Sequence, residues 1–185
     1  VVVEASRQEI IRRYYTALCE QRENMTSSDT VVKLDMLMKQ ANTSSADRQV
    51  VAAAIAKAEE TKTPATALQL PDGRIVTGKT SSLLGAASAL LLNALKVLAG
   101  IDDKIDLISP SVIQPVQALK VDHLGNHNPR LHTDEVLIAL SVSATNDANA
   151  RLALEQLPKL KGLQAHSTVM ISNVDLNVFK KLGVQ

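Results

Sequence analysis

The sequence predicts an α/β domain preceded by a helical subdomain, and three observations predict it. Apolar residues recur with a helical period of i and i+4 up to Pro64, and the period becomes strand-like from Thr66. Asp72-Gly73 stands between two short apolar or β-branched runs, Thr66–Leu70 and Arg74–Thr77, which is a hairpin signal. The most apolar stretch, Leu83 to Ala99, is broken by Asn93 and Lys96 and reads as a buried core helix rather than a membrane span. With 185 residues the chain suits one domain with an appended subdomain, and a chain of that size buries about 70% of its unfolded surface. Hydrophobic residues make up 45% but aromatics 2%, namely Tyr14, Tyr15 and Phe179, so the core must be built from Ala, Leu, Val and Ile.

The helical subdomain is assigned to residues 1–63. Its first helix carries Ile10, Tyr14 and Leu18 beside Ile11 and Tyr15, with Arg7, Glu9, Arg12 and Arg13 opposite. A second helix runs from about Asp29 to Asn42. A third opens at a capping-box pattern, Ser44 to Asp47, and stops before Pro64. The α/β domain is assigned to residues 64–185. After the hairpin comes the apolar helix, with Ser81 or Ser82 as N-cap and Gly100 as its stop. Lys104 to Ile108 reads as a strand, and Ser109-Pro110 starts a helix that Pro115 kinks or restarts before Gly125. Further helices are expected from Thr133 to about Ala144 and from Asn146 to Leu157. A strand follows from His166 to Ile171, and a second capping-box pattern, Ser172 to Asp175, opens a last helix ending at Gly183. Val184-Gln185 resembles a strand cut at its start, and Val1-Val2-Val3-Glu4 begins in mid-pattern, so the chain is expected to be a fragment of a longer protein.

Charge narrows the function classes. Twenty Lys and Arg against nineteen Asp and Glu leave +1, without a like-charge block. Nucleic acid is therefore not an expected partner, since it asks for a basic stripe and for aromatic rings on which bases stack. No signal-peptide pattern opens the chain, and a single cysteine, Cys19, forms no intrachain disulfide. The expectation is a cytoplasmic protein without a membrane span, and Cys19, on the apolar stripe of the first helix, is expected to be packed.

Gly73-Arg-Ile-Val-Thr-Gly78-Lys79-Thr80 satisfies the phosphate-loop spacing formally. Such a cradle needs inward-pointing amides beyond a strand's end, whereas Ile75-Val76-Thr77 complete a hairpin. What survives is a helix N-terminus near Lys79 and Thr80, either an anion site or a plain cap. The richest polar segment, Asp122 to Glu135, holds His123, His127, His132 and Arg130 with Asn126 and Asn128. Its histidine spacing fits no strict zinc pattern, and Gly125 and Pro129 break any helix that would align His123 with His127, so no metal is assigned. The segment is either a loop holding a polar or anionic small molecule or a hydrogen-bonded structural loop. His166 and Ser167 start a strand and are candidates for the same crevice, although no glycine-flanked elbow marks the serine as a nucleophile.

Four phrases carry a resemblance over essentially the whole chain: Glu4-Ala-Ser-Arg-Gln-Glu-Ile-Ile-Arg-Arg-Tyr14, Gly78-Lys79-Thr80-Ser81, Asp122-His-Leu-Gly-Asn-His-Asn-Pro-Arg-Leu-His-Thr-Asp-Glu-Val-Leu-Ile-Ala-Leu140, and Leu157-Pro-Lys-Leu-Lys-Gly162 with Ala165-His-Ser-Thr168. These resemble the bacterial domain-of-unknown-function family eighteen-forty-six, whose members are longer. The resemblance implies that this is a C-terminal portion, partnered by an N-terminal half similar to nucleotide-binding α/β domains. Some members carry the label of ATP-dependent peptidases, for which these residues offer neither a zinc-binding helix motif nor a serine elbow. The order of elements resembles a mixed sheet in a three-layer, cytidine-deaminase-like arrangement. A Cys-x-x-Cys pair for catalytic zinc is missing, which excludes deamination.

The functional expectation is a crevice for an anionic or phosphorylated small molecule. His123, His132 and His166 are the candidates for proton transfer or hydrogen bonding, and Lys79, Thr80, Asn126, Asn128, Arg130 and Ser167 the candidates for binding. The rival is a non-catalytic interaction or homo-oligomerisation module. The sequence names no cofactor.

Overall fold

A computed structural model describes residues 2–185. The chain divides into two compact units, Val1–Ala52 and Ala53–Gln185. In the first, α1 (Val2–Arg22) packs on α2 (Ser28–Gln40). Ile11, Ala17 and Met38 are buried, and the Arg7 side chain donates to the Ala41 carbonyl at the C-terminus of α2. Asp47 Oδ2 takes the Ser44 amide at 2.7 Å, the expected capping interaction, ahead of α3 (Gln49–Thr61). Cys19, expected to be packed, lies exposed on α1, because the stripe turns its Ile11 and Ala17 side inward instead.

The second unit is mixed α and β. β1 (Ala65–Gln69) and β2 (Ile75–Lys79) form the expected hairpin, in register Ala65 to Lys79, around Pro71-Asp72-Gly73. Gly73 sits at φ 85°, a left-handed conformation that the turn requires, and Asp72 Oδ1 accepts the Arg74 amide. α4 (Ala86–Ala99) lies across the hairpin with Leu90, Leu91, Ala94 and Leu95 buried, and ends at Gly100 in the left-handed region. There follow α5 (Pro110–Ala118), α6 (Thr133–Ser143), α7 (Ala148–Leu154), β3 (Ala165–Ser167) and α8 (Asn173–Lys181). The strands of this unit form a small antiparallel sheet of order β2-β1-β3 among the described residues, with α4 packed on β1 and β2. No described helix is long and apolar enough to cross a membrane.

Several expectations are corrected. The strand predicted over Lys104–Ile108 is a run of turns and bends. Asp102 Oδ1 takes the Lys104 amide at 2.8 Å, and the buried Lys96 ammonium holds the Asp103 carbonyl at 2.7 Å, so the segment curls while Leu107 and Ile108 are buried. Without that strand the three named strands pair antiparallel, so the sheet of the described residues is not the mixed one expected, and it does not by itself bear out a three-layer, cytidine-deaminase-like arrangement. The N-cap of α4 is Gly85, not Ser81 or Ser82, because Ser81 Oγ is taken by the Leu83 and Leu84 amides and Leu84 bridges to Leu131. Pro115 does not restart its helix. The helix runs on from Ala118 into a wider π turn, Leu119–His123.

Gly78 settles the phosphate-loop spacing. Its backbone lies in β2 opposite Thr66, and a Cβ there would run into the Leu90 amide nitrogen and stand 2.6 Å from the Ala86 carbonyl oxygen. Glycine is present because α4 touches the strand, not because a phosphate does. Gly78→Ala should therefore lower stability by at least about 3 kcal/mol in urea unfolding, since the obstruction is backbone. Gly73→Ala, which meets open space, should cost about 1 kcal/mol from its positive φ alone. Equal, small losses would show that α4 does not seat on β2 in this way.

Candidate functional site

The N-terminus of α6 and the loop before it build the most polar part of the second unit. Leu131 is buried and clamped, its amide donating to the Leu83 carbonyl and its carbonyl accepting from Ser88 Oγ at 2.8 Å, which fixes where His132 and Thr133 emerge. Asp175, one turn into α8, reaches across to that point. Its Oδ1 accepts the Thr133 amide at 2.8 Å and the Thr133 hydroxyl at 3.0 Å. Its Oδ2 accepts the Ser172 hydroxyl at 2.8 Å and lies 3.2 Å from His132 Nδ1. Burial pushes the Asp175 carboxyl up, and the hydrogen bonds from Thr133, Ser172 and His132 outweigh it, holding the group below the usual carboxylate range.

A second carboxylate closes the other side. Glu135 Oε2 accepts the His132 amide at 2.8 Å and the Lys120 ammonium at 2.7 Å. Lys120 is buried on the π turn and also donates to the Arg130 carbonyl at 2.7 Å. His132 is thus held by its main chain to Glu135 and by its ring to Asp175. A carboxylate facing Nδ1 favours the tautomer that carries its proton on that nitrogen and leaves Nε2 as the acceptor. Ser172 Oγ lies 3.2 Å from the same Nδ1, so the serine shares the orienting side of the ring and is not a nucleophile activated by it. A cavity of about 460 Å³ opens here, lined by Lys120, Asn126, His127, Asn128, His132, Asp134, Glu135 and Val174.

The remaining candidates separate. Arg130 is exposed and does not line this cavity; its Nε donates to the Ser81 carbonyl at 2.7 Å, which pins the guanidinium to the segment that begins with Lys79 and Thr80. Lys79 is exposed, and the Thr80 amide is taken by the Pro64 carbonyl. His123 is exposed at the end of the π turn. His166 and Ser167 line a different, mostly apolar cavity together with Ala165, Leu176, Phe179 and Val184. His132, Asn126 and Asn128 therefore share one site, and Arg130, His166 and Ser167 do not line that cavity. Among the described residues no three His, Cys, Asp or Glu converge as metal ligands.

Sequence reasoning missed Lys120, Glu135 and the reach of Asp175. Lys120 carries a signal, because it continues the stripe of Ile113 and Val116 at helical spacing, and a lysine on an apolar stripe asks for a buried partner. Asp175 is visible as a cap of its own helix, but its bonds to Thr133 span 42 residues.

An α/β domain with an acid-anchored histidine over a polar crevice is the class that fold and site define. Residues 46–185 match the family described as domain of unknown function DUF1846, C-terminal, and residues 1–42 match its N-terminal domain. The chain belongs to the DUF1846 family. It is 55% identical over 181 residues to a UPF0371 protein of Corynebacterium efficiens, and 54% identical to one of Corynebacterium urealyticum. A UPF0371 protein of Streptococcus thermophilus is 51% identical. These alignments cover 98% of this chain and 36–37% of the relatives, so the chain spans little more than a third of their length.

Asp175→Asn should lower stability by about 1–3 kcal/mol, because an amide has one acceptor oxygen and cannot serve both Thr133 and the Ser172–His132 side. For a domain of this size that is about 2–4 °C of Tm per kcal/mol. The carboxyl is depressed in the folded state, so its stabilisation is complete above the unfolded carboxyl range and is lost as pH falls through the folded value. The wild type should lose stability on acidification below about pH 4 more steeply than Asp175→Asn in parallel thermal melts. Coincident acid limbs would contradict the assignment.

Proposed function

We propose that this chain contributes, in a cytoplasmic full-length protein, a crevice for a small anionic or phosphorylated molecule, in which His132 handles a proton. The observation that supports this most is the orientation of His132: Asp175 engages Nδ1, and the ring lines a polar cavity with Asn126 and Asn128. That is the arrangement by which a carboxylate readies an imidazole as a general base. The asparagine amides are suited to hydrogen-bond a polar ligand, and the guanidinium nitrogens of Arg130 that do not hold Ser81 are suited to an anion. Lys79 and His123 add exposed basic groups on the same unit. The helical residues 1–63 carry the connection to the N-terminal half, in keeping with the match of residues 1–42 to the N-terminal domain.

The charge balance sets a condition on this reading. Lys120 is already neutralised by Glu135, and Asp134 lines the same cavity, so an anion would depend on Arg130. The rival reading, an interaction or oligomerisation module, is favoured by Ile138 and Val142, which stand one turn apart on α6 at 66% and 60% exposure.

Calorimetric titration of the full-length protein with inorganic phosphate separates the two. His132→Asn keeps a nitrogen near the Nδ1 position and deletes the ring edge with Nε2, so it should weaken phosphate at least about tenfold, about 1.4 kcal/mol, with little change in Tm. Arg130→Lys should weaken it by a similar factor through loss of the planar fork. Phosphate binding that both substitutions leave unchanged, or no binding at all, removes the crevice reading. A dimer dissociated by Ile138→Asp in sedimentation would then favour the module.

A further inference from the structure

The outer edge of β3 carries a pairing that the sheet does not complete. Gln164 faces β1, where its carbonyl accepts the Gln69 amide at 2.9 Å, and the Thr168 amide likewise bonds the Ala65 carbonyl. By the alternation of an antiparallel ladder, the N–H and C=O groups of Ala165 and Ser167 point away from β1. On that side the Ala165 amide donates to the Gln185 carbonyl at 2.7 Å, and the Gln185 amide donates to the Leu163 carbonyl at 2.8 Å. Those two bonds flank Gln164 in the slanted pattern of a parallel pair. One residue further on, the Ala165 carbonyl and the Ser167 amide have no hydrogen-bond partner among the described residues. Beside this edge runs a cavity of about 160 Å³, mostly apolar, with Leu176, Phe179 and Val184 in its wall.

We propose that the outer edge of β3 accepts a fourth strand, parallel to β3, and that the occupant is a segment of the same polypeptide outside these 185 residues. Three observations select it. Gln185 already makes the first pair of such a ladder, so an intramolecular strand enters in register. The relatives are longer than this chain by nearly two thirds of their length, which supplies the segment. The wall beside the edge is apolar, and a strand paired there turns every second side chain toward it. The added strand makes the sheet mixed, of order β2-β1-β3-β4.

Residue-resolved amide hydrogen exchange on the full-length protein tests this with an internal control. The His166 and Thr168 amides face β1 and should be protected in any case. The Ser167 amide should exchange as slowly as they do, on the order of a thousandfold below the free-chain rate, at every protein concentration. Exchange of Ser167 near the free-chain rate between two protected neighbours overturns the proposal. Protection that disappears on dilution to the monomer assigns the edge to a second copy of the chain instead, and overturns the occupant.

Discussion

Residues 53–185 depend on the closeness of one helix to one hairpin. α4 touches β2 at Gly78, and the polar groups trapped by that approach are all met: Thr66 Oγ1 donates to the Ala86 carbonyl at 2.9 Å, and Asn93 Nδ2 donates to the Thr77 carbonyl at 2.9 Å. Leu90, Leu91 and Leu95 can then be buried completely, each worth about 2–3 kcal/mol, without leaving a donor or acceptor dry. A core almost without aromatic rings has small contact areas per side chain, so it relies on short distances between backbones. Glycine at 78 and the alanines of α4 are the means by which this chain obtains them.

The same helix carries the constraint to the site. Ser88, on α4, holds the Leu131 carbonyl, and the residues next along the chain are His132 and Thr133. From there the polar groups are arranged as two carboxylates around one histidine, Glu135 on its amide and Asp175 on its ring. Both acids also occupy amides at the α6 N-terminus, the place where an external anion is usually received. That is why any anion in the crevice must turn to side-chain cations, and why Arg130, pinned outside the cavity to Ser81, matters more than the helix end beneath it.

Local chemistry was legible in the sequence and tertiary chemistry was not. The Pro71-Asp72-Gly73 turn, the caps at Ser44 and Ser172 and the Gly100 stop are decided within a few residues, and each is where the pattern places it. Lys104–Ile108 shows the opposite. Its apolar end is buried as a strand's would be, but Asp102 and the distant Lys96 turn its backbone, and neither effect has a period to read. Among the site residues, His132, Asn126 and Asn128 were found from the density of polar side chains in one segment. Arg130, chosen for its fork, has its Nε engaged with a carbonyl 49 residues away, and Lys120 and Glu135 meet across fifteen.

The buried Lys120 ammonium and its half-buried partner Glu135 stiffen the loop that carries the histidine. Removing the lysine charge from water is costly, and its attraction to the carboxylate offsets that cost only when the remaining donors and acceptors are satisfied. Here they are engaged further: the lysine also holds the Arg130 carbonyl, and the glutamate also holds the His132 amide. The pair therefore ties the loop on both sides of Leu131 to the π turn, and any displacement of residues 130–132 separates a buried charge from its partner. A crevice whose histidine must keep one ring nitrogen on Asp175 gains from that stiffness, because the other nitrogen stays in place whether or not a ligand is present.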